Sequence, residues 1–416
     1  MKICLVTAFP PSRRGLNEYG FHIAQELQRD PLLSVTVLAD ELESAQPELD
    51  EFNVIRCWNF NSSANPLRLL RTIRELKPDV VWFNLLFSSF GSHPLPAFAG
   101  LSAPALTRMT GIYTHITLHH LMENVDLHHA GIRFPRTYRA GGYMATRMLL
   151  MANSVSVLLP AYRRTLMEKY NGVDVHLRAH GILSARPSPP DFSKRGNPEH
   201  RILAFGKWGT YKRLELLIEA FHKVVERMPQ ARLIVAGANH PATPGYVESI
   251  AEQNKGNPYI SFTGYLAEEQ IPELFSSSSL MVMPYSSATG SSGVAHMACE
   301  YGLPIVCADI ADFREMGNDE QLAISFFETG NAQSLADSLV DLLENQELQR
   351  EMGEANFAVA LHQTMPMIIR QYLRSFHLQC GRSTLRRLSN IRNIPAWVPL
   401  RSEIFRATTP RWSSWT

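Results

Sequence analysis

"RILAFGKWGTYKRLELLIEAFHKVVERM" (residues 201–228) decides how this chain reads. It opens with an apolar run, Ile202 to Phe205, short and unalternating, which is the pattern of a strand buried on both faces. Gly206 breaks the run. Lys207 and Lys212 stand in the turn that follows, and from Leu214 the apolar residues recur with the spacing of an amphipathic helix. Strand, turn and helix in that order are half of a parallel βαβ unit. The order repeats downstream: "ARLIVAG" and "ISFTG" are strands, each leading to a helical stretch. "LMVMPY" then runs through the small-residue loop "SSATGSS" into the helix "GVAHMACEYG", and "PIVCAD" and the helical residues 331–361 close the series. Residues 201–364 therefore read as one doubly wound α/β domain.

The first half alternates in the same way. "KICLVTAF", "LSVTVLAD", "VIRCW", "DVVWFN" and "SVSVLLP" read as strands, with helical stretches such as "NEYGFHIAQELQRD" and "PLRLLRTIRELKP" between them. Residues 1–183 form a second unit of this type. Between the two lies "SARPSPPDFSKRGNPEH" (184–200), rich in Pro, Ser and charge and without apolar period, which marks a linker. The expected fold is α/β: two doubly wound, Rossmann-like domains facing each other across a cleft. Open parallel sheets bind ligands outside the carboxyl ends of their strands, so the loops after strands carry the functional expectation.

Composition narrows the class. The 416 residues carry a net charge of +1, which gives no whole-molecule field for nucleic acid. Cys4, Cys57, Cys299, Cys307 and Cys380 are scattered, without C-x-x-C spacing, which suits a reducing compartment better than a disulfide framework or a thiolate metal site. The N-terminal "MKICLVTAFPP" is too short an apolar run for a signal peptide, and no segment has the length and apolarity of a membrane span.

Two loops of the second domain suit an anion. Lys207 and Lys212 supply cations. Ser291, Ser292 and Gly293 precede the helix of "GVAHMACEYG", where free backbone N–H groups and the helix dipole favour negative charge. A diphosphate fits both. Solvated surface lysines and glycines serving only as turn formers are the plainer reading of either loop alone.

In order and spacing these residues resemble retaining GT-B glycosyltransferases of the large sequence group numbered family 4. The resemblance rests on Gly206-Lys207 with Lys212 five residues on, "LIEAF" (217–221), strands ending at Gly237 and Gly264, "MPY" (283–285), and Gly302, Pro304, Ile305 and Val306. In the first half, "TLHH" (117–120) is similar to the family's T-x-H stretch and "HGI" (180–182) to its element before the hinge. Gly15 matches the glycine-rich loop that the family places after its first strand, and "MPMIIRQYLRSF" (365–376) resembles the helix that crosses back to the first domain, leaving a basic tail at 377–416. The family usually carries two glutamates eight residues apart in the donor loop and helix. Here those positions hold Thr289 and Met297, with Gly290, His296 and Glu300 nearby. His296 or Glu300 is then expected to hold the ribose, and Thr289, Gly290 and the neighbouring hydroxyls to face the transferred sugar.

The resemblance implies a nucleotide-sugar donor on the second domain and a saccharide or lipid-linked saccharide acceptor on the first. It implies transfer of a hexose with retained configuration, without cofactor or metal, and no D-x-D occurs in the sequence. Lys207, Lys212 and His119 take the catalytic roles, with Gly206, Ser291, Ser292, Gly293, His296, Glu300, Thr289 and Gly290 on the donor and Gly15 and His119 on the acceptor. Synthesis of a cell-surface or extracellular polysaccharide, in the cytoplasm or at the inner membrane face, is the expected role. A non-catalytic donor-binding or scaffold subunit, motivated by the missing glutamates, and a GT-B sugar-nucleotide epimerase stay open.

Other motifs weigh less. His115, His119, His120, His128 and His129 cluster, but His115 and His119 on one strand stand about 13 Å apart, too far to share a metal. Arg68, Arg71 and Arg74 line one helix face, the pattern of a solvated surface or of a contact with anionic lipid. The tail sets Arg382, Arg386, Arg387, Arg392, Arg401, Arg406 and Arg411 against Glu403, with Trp397, Trp412 and Trp415 interleaved. Peripheral membrane contact, packing on the body and disorder all suit it.

Overall fold

A computed structural model describes residues 1–42, 47, 49–124, 135–170, 174–192, 200–240, 243–287 and 291–392. The first sheet contains β1 (Lys2–Val6), β2 (Ser34–Asp40), β3 (Val54–Trp58), β4 (Val80–Leu85), β5 (Tyr113–Leu118), β6 (Ser154–Val157) and β7 (Val175–Leu177). All neighbours are parallel, in the order β3-β2-β1-β4-β5-β6-β7. Its helices are α1 (Asn17–Gln28), α2 (Asn65–Leu76), α3 (Pro94–Leu101), α4 (Ala103–Met109), α5 (Pro135–Leu149) and α6 (Pro160–Lys169).

The second sheet contains β8 (Arg201–Phe205), β9 (Arg232–Ala236), β10 (Ile260–Gly264), β11 (Leu280–Met283), β12 (Ile305–Ala308) and β13 (Ile324–Phe327). It is also parallel, in the order β10-β9-β8-β11-β12-β13. With it run α7 (Leu214–Arg227), α8 (Tyr246–Gln253), α9 (Ile271–Ser276), α10 (Gly293–Glu300), α11 (Ala311–Asp319), α12 (Ala332–Glu344), α13 (Gln346–His362) and α14 (Met365–Arg392). Strand order reverses between β1 and β4 in one sheet and between β8 and β11 in the other, which places a ligand crevice at each point.

Alternation along the strands builds the layers. Ile3 and Leu5 join Trp82, α1 and α14 in a cluster on one face of the first sheet. Cys4 and Val6 turn to the other face, where a continuous buried cluster reaches Met281, Met283, Ile305 and Cys307 of the second sheet. Ile202, Ala204, Leu233 and Val235 cover the far face of the second sheet with α7 and α12.

Helix α14 leaves the second domain and packs on the first. Met365, Ile368, Ile369, Tyr372 and Phe376 recur at helical spacing and are buried in the cluster around Trp82. Beside this crossing runs the other one, for Ile182 donates its backbone N–H to the Gln363 carbonyl at 2.8 Å. The helix is longer than the sequence pattern indicates and continues to Arg392, while 393–416, with Trp397, Trp412, Trp415, Arg401, Arg406, Arg411 and Glu403, lie outside the described residues. Among the described residues, no helix is long and apolar enough to cross a membrane.

Candidate functional site

Gly206 and Gly237 directly follow β8 and β9, and their backbones touch. A Cβ on Gly237 would stand 2.0 Å from the Gly206 carbonyl oxygen, and its φ of +104 also suits glycine alone. This close approach aims the β8 loop over the crevice. Trp208, fully buried, anchors the loop by donating its indole N–H to the Ala236 carbonyl at 2.9 Å. The chain then makes a short 3-10 turn, Thr210–Lys212, before α7.

The turn points Lys212 inward. Its side chain is 7% exposed, and its Nζ lies over the Tyr285 ring at 4.7 Å and the Trp208 ring at 5.7 Å. A Cβ on Gly206 would sit 2.8 Å from that Nζ, so the glycine leaves room for the ammonium. No carboxylate pairs with it among the described residues. Burial, with the charge of Lys207, brings its pKa down to about 8. Lys207 itself is exposed on the same loop.

The loop after β11 closes the other side. Tyr285 is 5% exposed, and its hydroxyl lacks a hydrogen-bond partner among the described residues, as does the buried Ser291 hydroxyl. Ser292 caps α10, its Oγ accepting from the Ala295 N–H at 3.3 Å. An unpaired ammonium and two unpaired hydroxyls thus face a helix start. Buried polar groups left this way are costly unless a ligand satisfies them. Thr289 and Gly290 fall outside the described residues.

His296 does not face this crevice freely. Its Nδ1 meets the Ser292 carbonyl at 2.8 Å and its Nε2 the Glu320 carboxylate at 2.7 Å. Burial works against a charge here, yet Glu320 and these hydrogen bonds hold its pKa above the ordinary value. Glu300 lies at the far end of α10. Burial pushes its pKa up to about 7, against hydrogen bonds from the Ser184 hydroxyl and backbone N–H. That engages it with the interdomain segment rather than with the start of the helix. Met297, at the family's second glutamate position, packs against the core.

On the first domain, Gly15 lies in the loop after β1, and a Cβ there would come within 3.1 Å of Leu86 in the loop after β4. Asp40 fixes that loop. Its buried carboxylate accepts from the Phe9 N–H at 3.3 Å and the Ser12 hydroxyl at 2.5 Å, and Arg14 stands 3.4 Å away. His119 follows β5 directly, and its Nε2 sits 2.7 Å from Asn84 Oδ1, while the Asn84 amide donates to Thr7. Burial, then His180 and His120, holds the His119 pKa well below the ordinary value. His120 turns elsewhere, against Phe87.

His180, which sequence reasoning quoted only as part of a motif, lies between these groups: its ring centroid is 6.0 Å from that of His119 and 5.2 Å from that of His296. Trp208 and Tyr285 lie within "GKW" and "MPY", but no local sequence signal marks either as a site residue.

The remaining histidines and arginines resolve as structure. His115 is a buried core residue bonded to Ser154 and Ser156 at 2.7 and 3.0 Å. His128 and His129 lie outside the described residues. Among the described residues, no group of three or more His, Cys, Asp or Glu side chains is placed to hold a metal. Arg68 pairs with Glu41 and Arg71 with Glu75, both on the surface.

Two Rossmann-like domains with loops at paired switch points define the GT-B fold, the architecture of many glycosyltransferases. Residues 199–345 match the family described as Glycosyl transferases group 1, a span that covers the second domain's sheet. The chain is 28% identical over 163 residues to the sulfoquinovosyl transferase of Arabidopsis thaliana, a match covering 38% of this chain and 30% of that protein. It is 32% identical over 88 residues to the mannosylfructose-phosphate synthase of Agrobacterium fabrum, covering 20% and 19% respectively. The chain thus spans less than a third of the length of either relative. Among solved structures, sucrose-phosphate synthase of Thermosynechococcus elongatus superposes with a TM-score of 0.72 at 14% identity, covering 92% of this chain and 99% of that one. HepE of Anabaena, solved with UDP and glucose, superposes with a TM-score of 0.67 at 17% identity, covering 91% and 99%.

Proposed function

We propose that this protein is a retaining, metal-independent glycosyltransferase that moves a hexose from a nucleotide sugar to an acceptor hydroxyl. The observation that carries the reading is the buried, unpaired Lys212 ammonium beside the orphaned Tyr285 and Ser291 hydroxyls at the start of α10. In glycosyl transfer the bond between the sugar and the diphosphate breaks, and charge grows on the departing oxygen. Donors fixed in place at that point, shielded from water, stabilise the transition state without reorganising. Lys212, Lys207 and the first N–H groups of α10 are such donors, and they supply what a divalent cation would otherwise supply.

The acceptor enters from the first domain. His119 carries its proton on Nε2, given to Asn84, which leaves Nδ1 as an acceptor for a sugar hydroxyl. Its contribution is orientation. A saccharide or lipid-linked saccharide acceptor, a role in surface polysaccharide synthesis and work at the inner membrane face follow from the family resemblance. Retention rests on the same resemblance.

A second reading has support of its own. Met297 stands where the family has an acid and Glu300 is engaged with Ser184, which fits a donor-binding subunit without transferase activity. One experiment separates them. The purified protein is incubated with α-linked UDP-, GDP-, ADP- and dTDP-hexoses and simple glycoside acceptors, and the products are followed by proton NMR. An α-linked product with release of diphosphate is expected. Binding without release supports the subunit reading, and a β-linked product overturns retention.

A further inference from the structure

Four rings from four segments meet where the domains join. Tyr19 of α1 stands edge-on to His119 at 4.9 Å and 4.7 Å from His180, which stacks on His296 of α10 at 5.2 Å with the planes 26° apart. The Tyr19 hydroxyl donates to the His180 carbonyl. A Cβ on Gly293, at the start of α10, would lie 3.4 Å from the His180 ring. His180 therefore touches the acceptor-side histidine, the first helix of one domain and the proposed diphosphate end of the other.

Hydrogen bonds fix the protons. A carbonyl oxygen only accepts, so His180 Nδ1, 2.9 Å from the Gly181 carbonyl, carries the hydrogen and Nε2 is bare. His296 gives its Nδ1 hydrogen to a carbonyl oxygen and turns Nε2 to the Glu320 carboxylate, and Glu320 with these hydrogen bonds raises its pKa against burial, which favours an imidazolium paired with Glu320. The groups facing His180 are Tyr19 and His119 from the first domain and His296, Glu320 and the start of α10 from the second. A proton added to His180 would place a second cation on His296 and beside the positive helix end, with Glu320 alone to favour it. Consistently, burial and then His296 bring its pKa down to about 4.

We propose that His180 is a positioning residue: a neutral imidazole, held as the Nδ1–H tautomer and stacked on the His296–Glu320 pair, that sets the distance between His119 and the start of α10. The two chain crossings converge on the same place. Ile182 bonds to Gln363, and a Cβ on Gly181 would stand 3.2 Å from the Gln363 carbonyl. Any rotation of one domain against the other would turn about His180, and its ring would decide how closely acceptor and donor loops approach.

The protonation and stacking can be read without any enzymatic assay; only the turnover effect rests on the transferase reading. The full chain, with 15 histidines, is labelled with 15N-histidine and titrated from pH 8 to 4, with His180→Asn and His296→Asn supplying assignments. His180 is expected to show the Nδ1–H tautomer, the less common form in water, down to about pH 5, and His296 two protonated nitrogens at pH 7 and below. Loss of the charge beneath it in His296→Asn should raise the His180 midpoint by about 0.6 to 2 pH units, from Coulomb's law at the ring separation. An Nε2–H tautomer, a midpoint near 6.5, or a neutral His296 at pH 7 overturns the proposal. In the turnover arm, run on a donor that wild type consumes, His180→Ala should lower kcat about tenfold or more while the donor KM stays within about threefold. His180→Phe, which keeps the stack and not the tautomer, should recover part of kcat. Equal losses in kcat and stability for both variants mean that His180 only holds the fold, and they overturn the positioning role.

Discussion

Replacing Lys212 with Met keeps a long apolar stem and removes one buried charge. The structure makes the two consequences opposite in sign. The ammonium has a pKa of about 8 where 10.5 is ordinary, which corresponds to about 3 kcal/mol against the charged form in the folded state. Its contacts with the Tyr285 and Trp208 rings return about 1–2 kcal/mol of this. Lys212→Met should therefore stabilise the unliganded protein by about 1–2 kcal/mol at pH 7, seen as a rise of about 2–4 °C per kcal/mol in the melting temperature of a domain this size. Below pH 8 the lysine is charged in both folded and unfolded chains, and the folded state carries the whole penalty. As pH rises from 8 to 10.5 the folded chain loses its proton first, the penalty fades, and the advantage of Met disappears. Diphosphate binding runs the other way. Losing a charged hydrogen bond of about 1.5–3 kcal/mol should weaken whichever nucleoside diphosphate wild type binds about 10- to 150-fold at pH 7. Wild-type affinity should fall above pH 8, by up to about tenfold per pH unit, and the variant's should not. Calorimetric unfolding and titration at pH 7 and pH 10 read both effects. A variant that melts lower at pH 7 and binds the nucleoside diphosphate as wild type does would refute the reasoning.

Glu300→Gln should stabilise the protein at pH 8 and leave it unchanged at pH 4.5, because a carboxyl with a pKa of about 7 loses folded-state stability as pH rises from 4.5 through 7; denaturant melts at the two pH values check the sign. Gly237→Ala drives a Cβ into the Gly206 carbonyl at positive φ, and chemical unfolding should show a loss above about 3 kcal/mol. His119→Ala leaves Asn84 Oδ1 without its donor, so it should cost about 1–3 kcal/mol of stability and lower turnover, while nucleoside diphosphate affinity measured by calorimetry stays within about threefold.

The architecture was legible because parallel strands buried on both faces write themselves as unbroken apolar runs. "ILAF", "LIVA" and "VVWF" each name a strand without help from the fold. Two of the four edge strands were not: β7 is three residues long, and β13, "ISFF", has a half-exposed pattern that hid it between helices. Of the candidate site, the local parts were legible. Lysines after a strand and serines before a helix are local signals of anion binding, and the structure places both groups about one crevice. What sequence could not give is contact across the domains. His180 and His296 are 116 residues apart and stack only because the chain crosses at Ile182 and Gln363. Glu320 carries no motif at all, and its pairing removes His296 from the group of free donor ligands. Trp208 reads as a loop tryptophan until β9 supplies the carbonyl that its indole needs.

The central claim is that Lys207, Lys212 and the start of α10 hold a nucleoside diphosphate. Isothermal titration of UDP, GDP, ADP and dTDP into the wild-type chain at low salt, repeated with Lys207→Ala and Lys212→Ala, tests it most directly. The account predicts that at least one of the four binds wild type with a micromolar Kd, and that each substitution weakens it about tenfold or more. Binding that survives both substitutions unchanged, or no binding of any of the four to the folded wild-type protein, would contradict it.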